Sequence, residues 1–205
     1  MADTILSLYD MTGTWSRPYE EDGYEVRRVD LEGTKEDLRL LSIKDLGVDF
    51  STVTGIIAQP PCTHFASSGA RWWAGKGDEA IIEGLTLVVI VFRYVYLARN
   101  LRWWVMENPV GRLPNWVGKY KVTYNPHEYA GYCDSDEEKQ LNRYTKKTCL
   151  WGEGFVMPPK KDLGKHPDKK IAERIHRAGP SGGQRGHIRS VTPSGFAKAW
   201  KEYNP

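Results

Sequence analysis

Cys62 closes the phrase Gly55–Cys62 (GIIAQPPC), directly after Pro60 and Pro61. Two prolines cannot continue a central strand, because neither has the N–H a ladder requires. The spacing therefore predicts a strand over Thr54–Gln59 with a cysteine at its rigid tip. A thiol on a strand-end loop can act as a nucleophile where its thiolate is favoured and exposed. It can also be a structural thiol that happens to follow two prolines. Glu107 has a parallel setting, at the end of the apolar run Arg102–Met106 (RWWVM) and before Asn108-Pro109. A carboxyl group there can hydrogen-bond a ring nitrogen, and burial would favour its protonated form. It can equally serve as an ion-paired or capping glutamate.

Both corners need a scaffold. Thr4–Tyr9 (TILSLY) reads as a buried strand, Thr12–Thr14 as a turn, Trp15–Asp22 as a short helix and Tyr24–Leu31 as an alternating second strand. Leu38–Leu41 is a short third strand. Residues 66–78 read as a Gly-rich loop carrying Trp72 and Trp73, and Glu79–Asn100 as a long helix. Lys121–Tyr124 and Thr148–Trp151 are further strands, and Ser194–Tyr203 is a closing helix. Residues 152–188 read as a basic, Gly- and Pro-rich loop with one helix over Asp168–Arg177. Strands alternating with helices predict an α/β fold with a mostly parallel sheet and helices on both faces. In such sheets ligands bind at the carboxyl ends of the strands, where the turn after Tyr9, the Cys62 corner and the Glu107 corner all fall. The length fits one domain over residues 1–205.

Charge is unevenly spread. Residues 1–142 hold 15 Lys+Arg against 21 Asp+Glu, and residues 143–205 hold 14 against 5. A basic C-terminal part predicts contact with a polyanion such as nucleic acid; a solvated tail is the plainer reading. Three widely spaced cysteines argue against a disulfide framework. The start lacks a basic stretch followed by a long apolar one, so no secretory signal is read there. Ile81–Leu97 is the most apolar stretch, but Glu83 and Arg93 interrupt it and a buried helix is expected rather than a membrane span. A cytoplasmic, monomeric protein is expected.

Taken together, Pro60-Pro61-Cys62-Thr63, Glu107-Asn108-Pro109 and Leu8–Trp15 (LYDMTGTW) resemble the nucleophile, glutamate and first-loop motifs of DNA cytosine C5-methyltransferases. The phrases Glu107–Leu113 (ENPVGRL), Tyr144–Gly152 (YTKKTCLWG) and Arg189–Ala197 (RSVTPSGFA) resemble the small members encoded by bacteriophages, which would act in the host cytoplasm. The resemblance runs along nearly the whole chain. It implies a Rossmann-like fold and methyl transfer from S-adenosylmethionine to C5 of a cytosine flipped out of DNA. Cys62 would add to C6, Glu107 would engage N3, and Lys147 would take the place of the second arginine of an Arg-x-Arg stretch. Tyr9, Asp10, Met11, Gly13, Thr14, Trp15 and Pro60 would line the cofactor site, with Asp30 on the ribose and Asp37 on the adenine amino group. Lys146, Lys160, Lys161 and Arg189 would contact nucleic-acid phosphates. Trp72 and Trp73 could fill the gap left by the base, stack on it or pack beneath their loop. His64 could assist proton removal from C5 or be a hydrogen-bonded structural histidine.

The sequence departs from that family in four places. Met11 stands where a glycine allows close backbone approach, and Asp30 and Asp37 are too near each other for an intervening helix. No large recognition domain follows Trp151, and the usual closing motif is absent. Base edges specify and phosphates only position, so the basic loop predicts little sequence specificity. Alternatives are a relative that modifies single strands or free nucleotides, and a nucleic-acid-binding remnant without catalysis.

Overall fold

A computed structural model describes residues 3–10, 12–30, 47–177 and 189–205. The chain forms two compact units, Met1–Val122 with Thr148–Phe155, and Thr123–Lys147 with Val156–Pro205. The sequence reads as one domain.

The first unit is α/β. Strands β1 (Thr4–Leu8), β2 (Glu25–Val29), β3 (Val53–Ala58), β4 (Trp103–Pro109) and β6 (Thr148–Glu153) form a mixed sheet ordered β2-β1-β3-β4-β6, and the short β5 (Val122–Tyr124) begins on the last residue of this unit's first segment. The pairs β1·β2, β1·β3 and β3·β4 are parallel, whereas β6 runs antiparallel to β4. β1 and β3 are buried along their whole length, as continuous apolar runs in a parallel sheet must be. Gly55 is required in β3 because a Cβ there would meet the Trp103 ring at 2.4 Å. The expected strand Leu38–Leu41 lies outside the described residues.

Three elements differ from the sequence reading. β4 does not stop at Met106 but carries Glu107, Asn108 and Pro109 within it. Its antiparallel partner extends it: Glu107 pairs with Leu150, Asn108 with Cys149 and Pro109 with Thr148. The first helix, α1 (Arg17–Glu21), is shorter than expected, and Trp15 is fully buried in the turn before it. Residues 66–78 are not a loop. A 3-10 helix, Ser67–Trp72, leads into α2 (Trp73–Leu97), which is kinked at Gly77 with φ 68°. Gly75 and Gly77 lower helix propensity there, but tertiary contacts described below hold the turn. α2 buries Leu87, Val88, Val91 and Tyr94 in the core and exposes Ile82, Val89 and Tyr96. By length and composition it is apolar enough to cross a membrane. A four-residue helix, α3 (Pro114–Val117), follows β4.

The second unit contains α4 (Asp136–Asn142), α5 (Lys169–Ala172), α6 (Arg174–Arg177) and α7 (Ser194–Tyr203). The helix expected over Asp168–Arg177 is split at Glu173. Phe196 and Trp200, one turn apart on α7, are fully buried. Phe196 stacks on Tyr124 at 3.7 Å between centroids and meets Tyr129 edge-on at 5.1 Å. Residues 155–168 have no regular structure, yet they are pinned. The Tyr129 and Tyr132 hydroxyls donate to the carbonyls of Pro158 and Pro159. Asn204 accepts from Val156 N–H and donates to its carbonyl. His127 Nδ1 lies 3.0 Å from an Asp162 carboxylate oxygen.

Candidate functional site

The parallel register brings the carboxyl ends of β2, β1, β3 and β4 side by side, and hydrogen bonds join each end to the next. Tyr9 N–H donates to Val29 O at 2.8 Å, and Gln59 N–H donates to Leu8 O at 2.9 Å. Asn108 Nδ2 donates to Pro60 O at 2.9 Å. Along this edge stand Asp30 after β2, the loop from Tyr9 after β1, Cys62 after β3 and Glu107 near the end of β4. Two corners 45 positions apart in the chain thus become one place. Asn108 is fully buried, and its Oδ1 finds no hydrogen-bond partner among the described residues.

Cys62 is half-buried and in no disulfide. The amide N–H groups of Phe65 and Ala66 both donate to its carbonyl at 2.9 Å, closing a turn that fixes the cysteine backbone. The loop after β4 is zipped to this turn. Arg112 N–H donates to Phe65 O, Ser67 N–H donates to Val110 O, and Arg112 Nε donates to His64 O at 2.8 Å. Gly111 lets the two backbones meet, because a Cβ there would lie 1.9 Å from Phe65 O. Phe65 is fully buried against Gly84 of α2. Lys76 donates to Thr63 O at 2.7 Å from the first turn of α2.

Glu107 is 7% exposed. A carboxyl group largely withdrawn from water, inside β4 and one residue before the Asn108 that holds Pro60, suits hydrogen bonding to a planar ring edge. His64 lies two residues after Cys62. Its ring nitrogens lie 3.5 Å from Lys76 Nζ and 3.7 Å from a Glu83 carboxylate oxygen. Burial, reinforced by the charges of Lys76 and Arg112 and opposed by Glu83, holds its pKa below the ordinary histidine value. The neutral imidazole is therefore the favoured form.

The loop after β1 is braced differently. Tyr9 is the one non-glycine residue with positive φ (60°) among the described residues, and Gly13 has φ 63°. Tyr9 Oη donates to Leu87 O of α2. Asp10 is buried, and its Oδ2 accepts from Ser7 Oγ, Ser16 N–H and Ser16 Oγ at 2.8–3.1 Å. Arg28 Nε donates to Ser16 Oγ and the Arg28 guanidinium pairs with Glu20. That guanidinium lies against Gly13, where a Cβ would come within 2.7 Å of it. Asp10 and Trp15 thus face inward and shape the loop, while Gly13 and Thr14 form its turn. Asp30 is partly exposed. Met11 and Asp37 lie outside the described residues.

Lys146, Lys147, Lys160, Lys161 and Arg189 belong to the second unit. Lys146 is buried and Lys147 exposed. Lys160 pairs with Glu128 at 2.7 Å, and the Lys161 ammonium sits 3.8 Å from the centroid of the Tyr132 ring. Arg189 is partly exposed. The positioning residues Asn108, Arg112, Lys76 and Ser16 carry no spacing signal, because each acts on a loop distant in sequence or through a turn. Among the described residues no cluster of three or more metal-ligating side chains occurs. Compared with known proteins, the chain matches no family model and no curated protein.

Proposed function

We propose that this chain is a DNA cytosine C5-methyltransferase on a Rossmann-like fold, with S-adenosylmethionine as methyl donor. One observation carries the reading: Asn108 Nδ2 and Pro60 O, 2.9 Å apart, join the cysteine and glutamate corners at the carboxyl edge of parallel strands. The residues present fit the cofactor. Tyr9 and Gly13, both with positive φ, fold the β1 loop tightly at that edge. Asp30 ends the neighbouring strand, where a carboxylate suits two ribose hydroxyls.

The chemistry asks three things of the protein. C5 of cytosine is a poor nucleophile in the intact aromatic ring. Addition of the Cys62 thiolate to C6 breaks the C5–C6 double bond and makes C5 enamine-like. The Glu107 carboxyl group hydrogen-bonds N3 and offsets the charge that builds on the ring. The bound cofactor supplies an electrophilic methyl group. Loss of the C5 proton then drives departure of Cys62 from C6 and restores the ring. The base must leave its stack for C6 and N3 to be reached.

The test is mass spectrometry of DNA incubated with the protein and S-adenosylmethionine. 5-Methylcytosine is expected with the wild type, and none with Cys62→Ala. DNA containing 5-fluorocytosine should trap a covalent adduct at Cys62, because fluorine cannot leave as a proton does. Product at wild-type level from Cys62→Ala would end the covalent mechanism.

A further inference from the structure

Beside the Cys62 turn lies a group of tryptophans layered with arginines. The Arg71 guanidinium sits over the Trp72 ring at 5.0 Å. Arg112 lies over Trp73 at 4.7 Å and over Trp116 at 5.8 Å. Arg112 is the same residue that donates to His64 O, so this layer is tied directly to the nucleophile turn. Trp72 is 60% exposed and Trp116 42% exposed. An indole that open to water gains nothing for the fold from its exposed face. The acidic residues Asp78 and Glu79 begin only after the kink at Gly77.

The geometry points to a stacking surface for unpaired bases, formed by Trp72 and Trp116 with Arg71 and Arg112, that favours single-stranded over duplex DNA. Base–aromatic stacking with cations for the backbone is how single strands are held without reading sequence. A paired base in a duplex has no free ring face to offer such a surface. Of the lysines expected to grip phosphates, Lys146 is buried and Lys160 pairs with Glu128. The inference rests on reading the adjoining edge as a cytosine site, and it names the form of DNA presented there.

A fluorescent oligonucleotide containing only thymidine tests it, because such a strand offers no cytosine to the proposed reaction. Anisotropy titrations at one salt concentration would compare this strand with its duplex. The single strand is expected to bind at least about fivefold tighter, and Trp72→Ala should weaken single-strand binding by about fivefold or more, the equivalent of one lost stacking contact. The double variant with Trp116→Ala should weaken it further, and Trp72→Phe should retain most of it. Both rings are exposed, so their removal leaves the core untouched, and circular dichroism checks this. Equal affinity for strand and duplex, no binding to the strand, or a double variant that binds like wild type would overturn the inference. Methyl transfer is scored separately: strand binding without 5-methylcytosine defeats the proposed reaction and leaves the surface, whereas transfer with unchanged binding in the double variant does the reverse.

Discussion

The turn at Cys62 and the loop after β1 sit on neighbouring strand ends but are held by different means. The Cys62 turn is braced mainly by backbone groups: two N–H donors on its own carbonyl, and a strip of main-chain bonds to the loop after β4. The β1 loop is braced by side chains, in a polar chain running from Asp10 through Ser16 and Arg28 to Glu20. Backbone bracing does not depend on side-chain identity, except where a close approach demands glycine, as at Gly111. Side-chain bracing depends on the identity of each residue in the chain of contacts. The first region is held through main-chain groups, the second through side chains.

The comparison breaks most sharply at Gly111. In Gly111→Ala the new Cβ would collide with Phe65 O, so the two loops must part. We expect a loss of about 3 kcal/mol in stability. Misplacement of Cys62 by about 1 Å should further cost roughly hundredfold in rate. Urea unfolding and single-turnover methylation measure the two effects, and a variant with wild-type rate would show that backbone bracing is not what places the thiol.

A smaller effect is expected on the other side. Ser16→Ala removes one donor from the Asp10 carboxylate and the acceptor of Arg28 Nε, while the Ser16 backbone bond to Asp10 survives. Stability should fall by about 1 kcal/mol, and calorimetry should show weaker binding of S-adenosylmethionine. The rate at which a thiol reagent modifies Cys62 should stay unchanged. A changed thiol rate would mean that the two loops are coupled rather than independently braced.

The smallest effect is on pH dependence. Burial and Lys76 hold His64 below its ordinary pKa, so the unfolded chain takes up this proton more readily than the folded one. The contribution is therefore fully present above the unfolded value of about 6.5 and is lost as pH falls below it. Urea midpoints between about pH 8 and about pH 5 should decline less in His64→Gln than in wild type. Parallel declines would remove His64 from the bracing of the turn.

The strands were legible in the sequence because burial imposes a pattern. Thr4–Leu8 and Val53–Ala58 are apolar runs ended by turn residues, and Pro60-Pro61 stops β3 where ladder bonding must cease. Cys62 and Glu107 could be singled out for the same reason: each is a reactive type that follows an apolar run, although β4 carries Glu107 within it rather than ending before it. The start of α2 was not legible, because Gly75 and Gly77 argue locally for a loop. The cation–π contact of Arg112 with Trp73 and the bond from Lys76 to Thr63 decide otherwise.

By itself, then, the sequence determined an alternation of strands and helices, the tip after β3 on which a thiol stands, and the basic bias of the C-terminal part. These follow from local propensity, periodicity and composition, which need no partner. Tertiary structure alone decided that Asn108 holds Pro60, that Gly111 admits Phe65, that β6 extends β4 through Glu107 and that residues 123–147 and 156–205 form a unit of their own. Each of these is a pairing between segments far apart in the chain, and such pairings depend on register and packing that no local window contains.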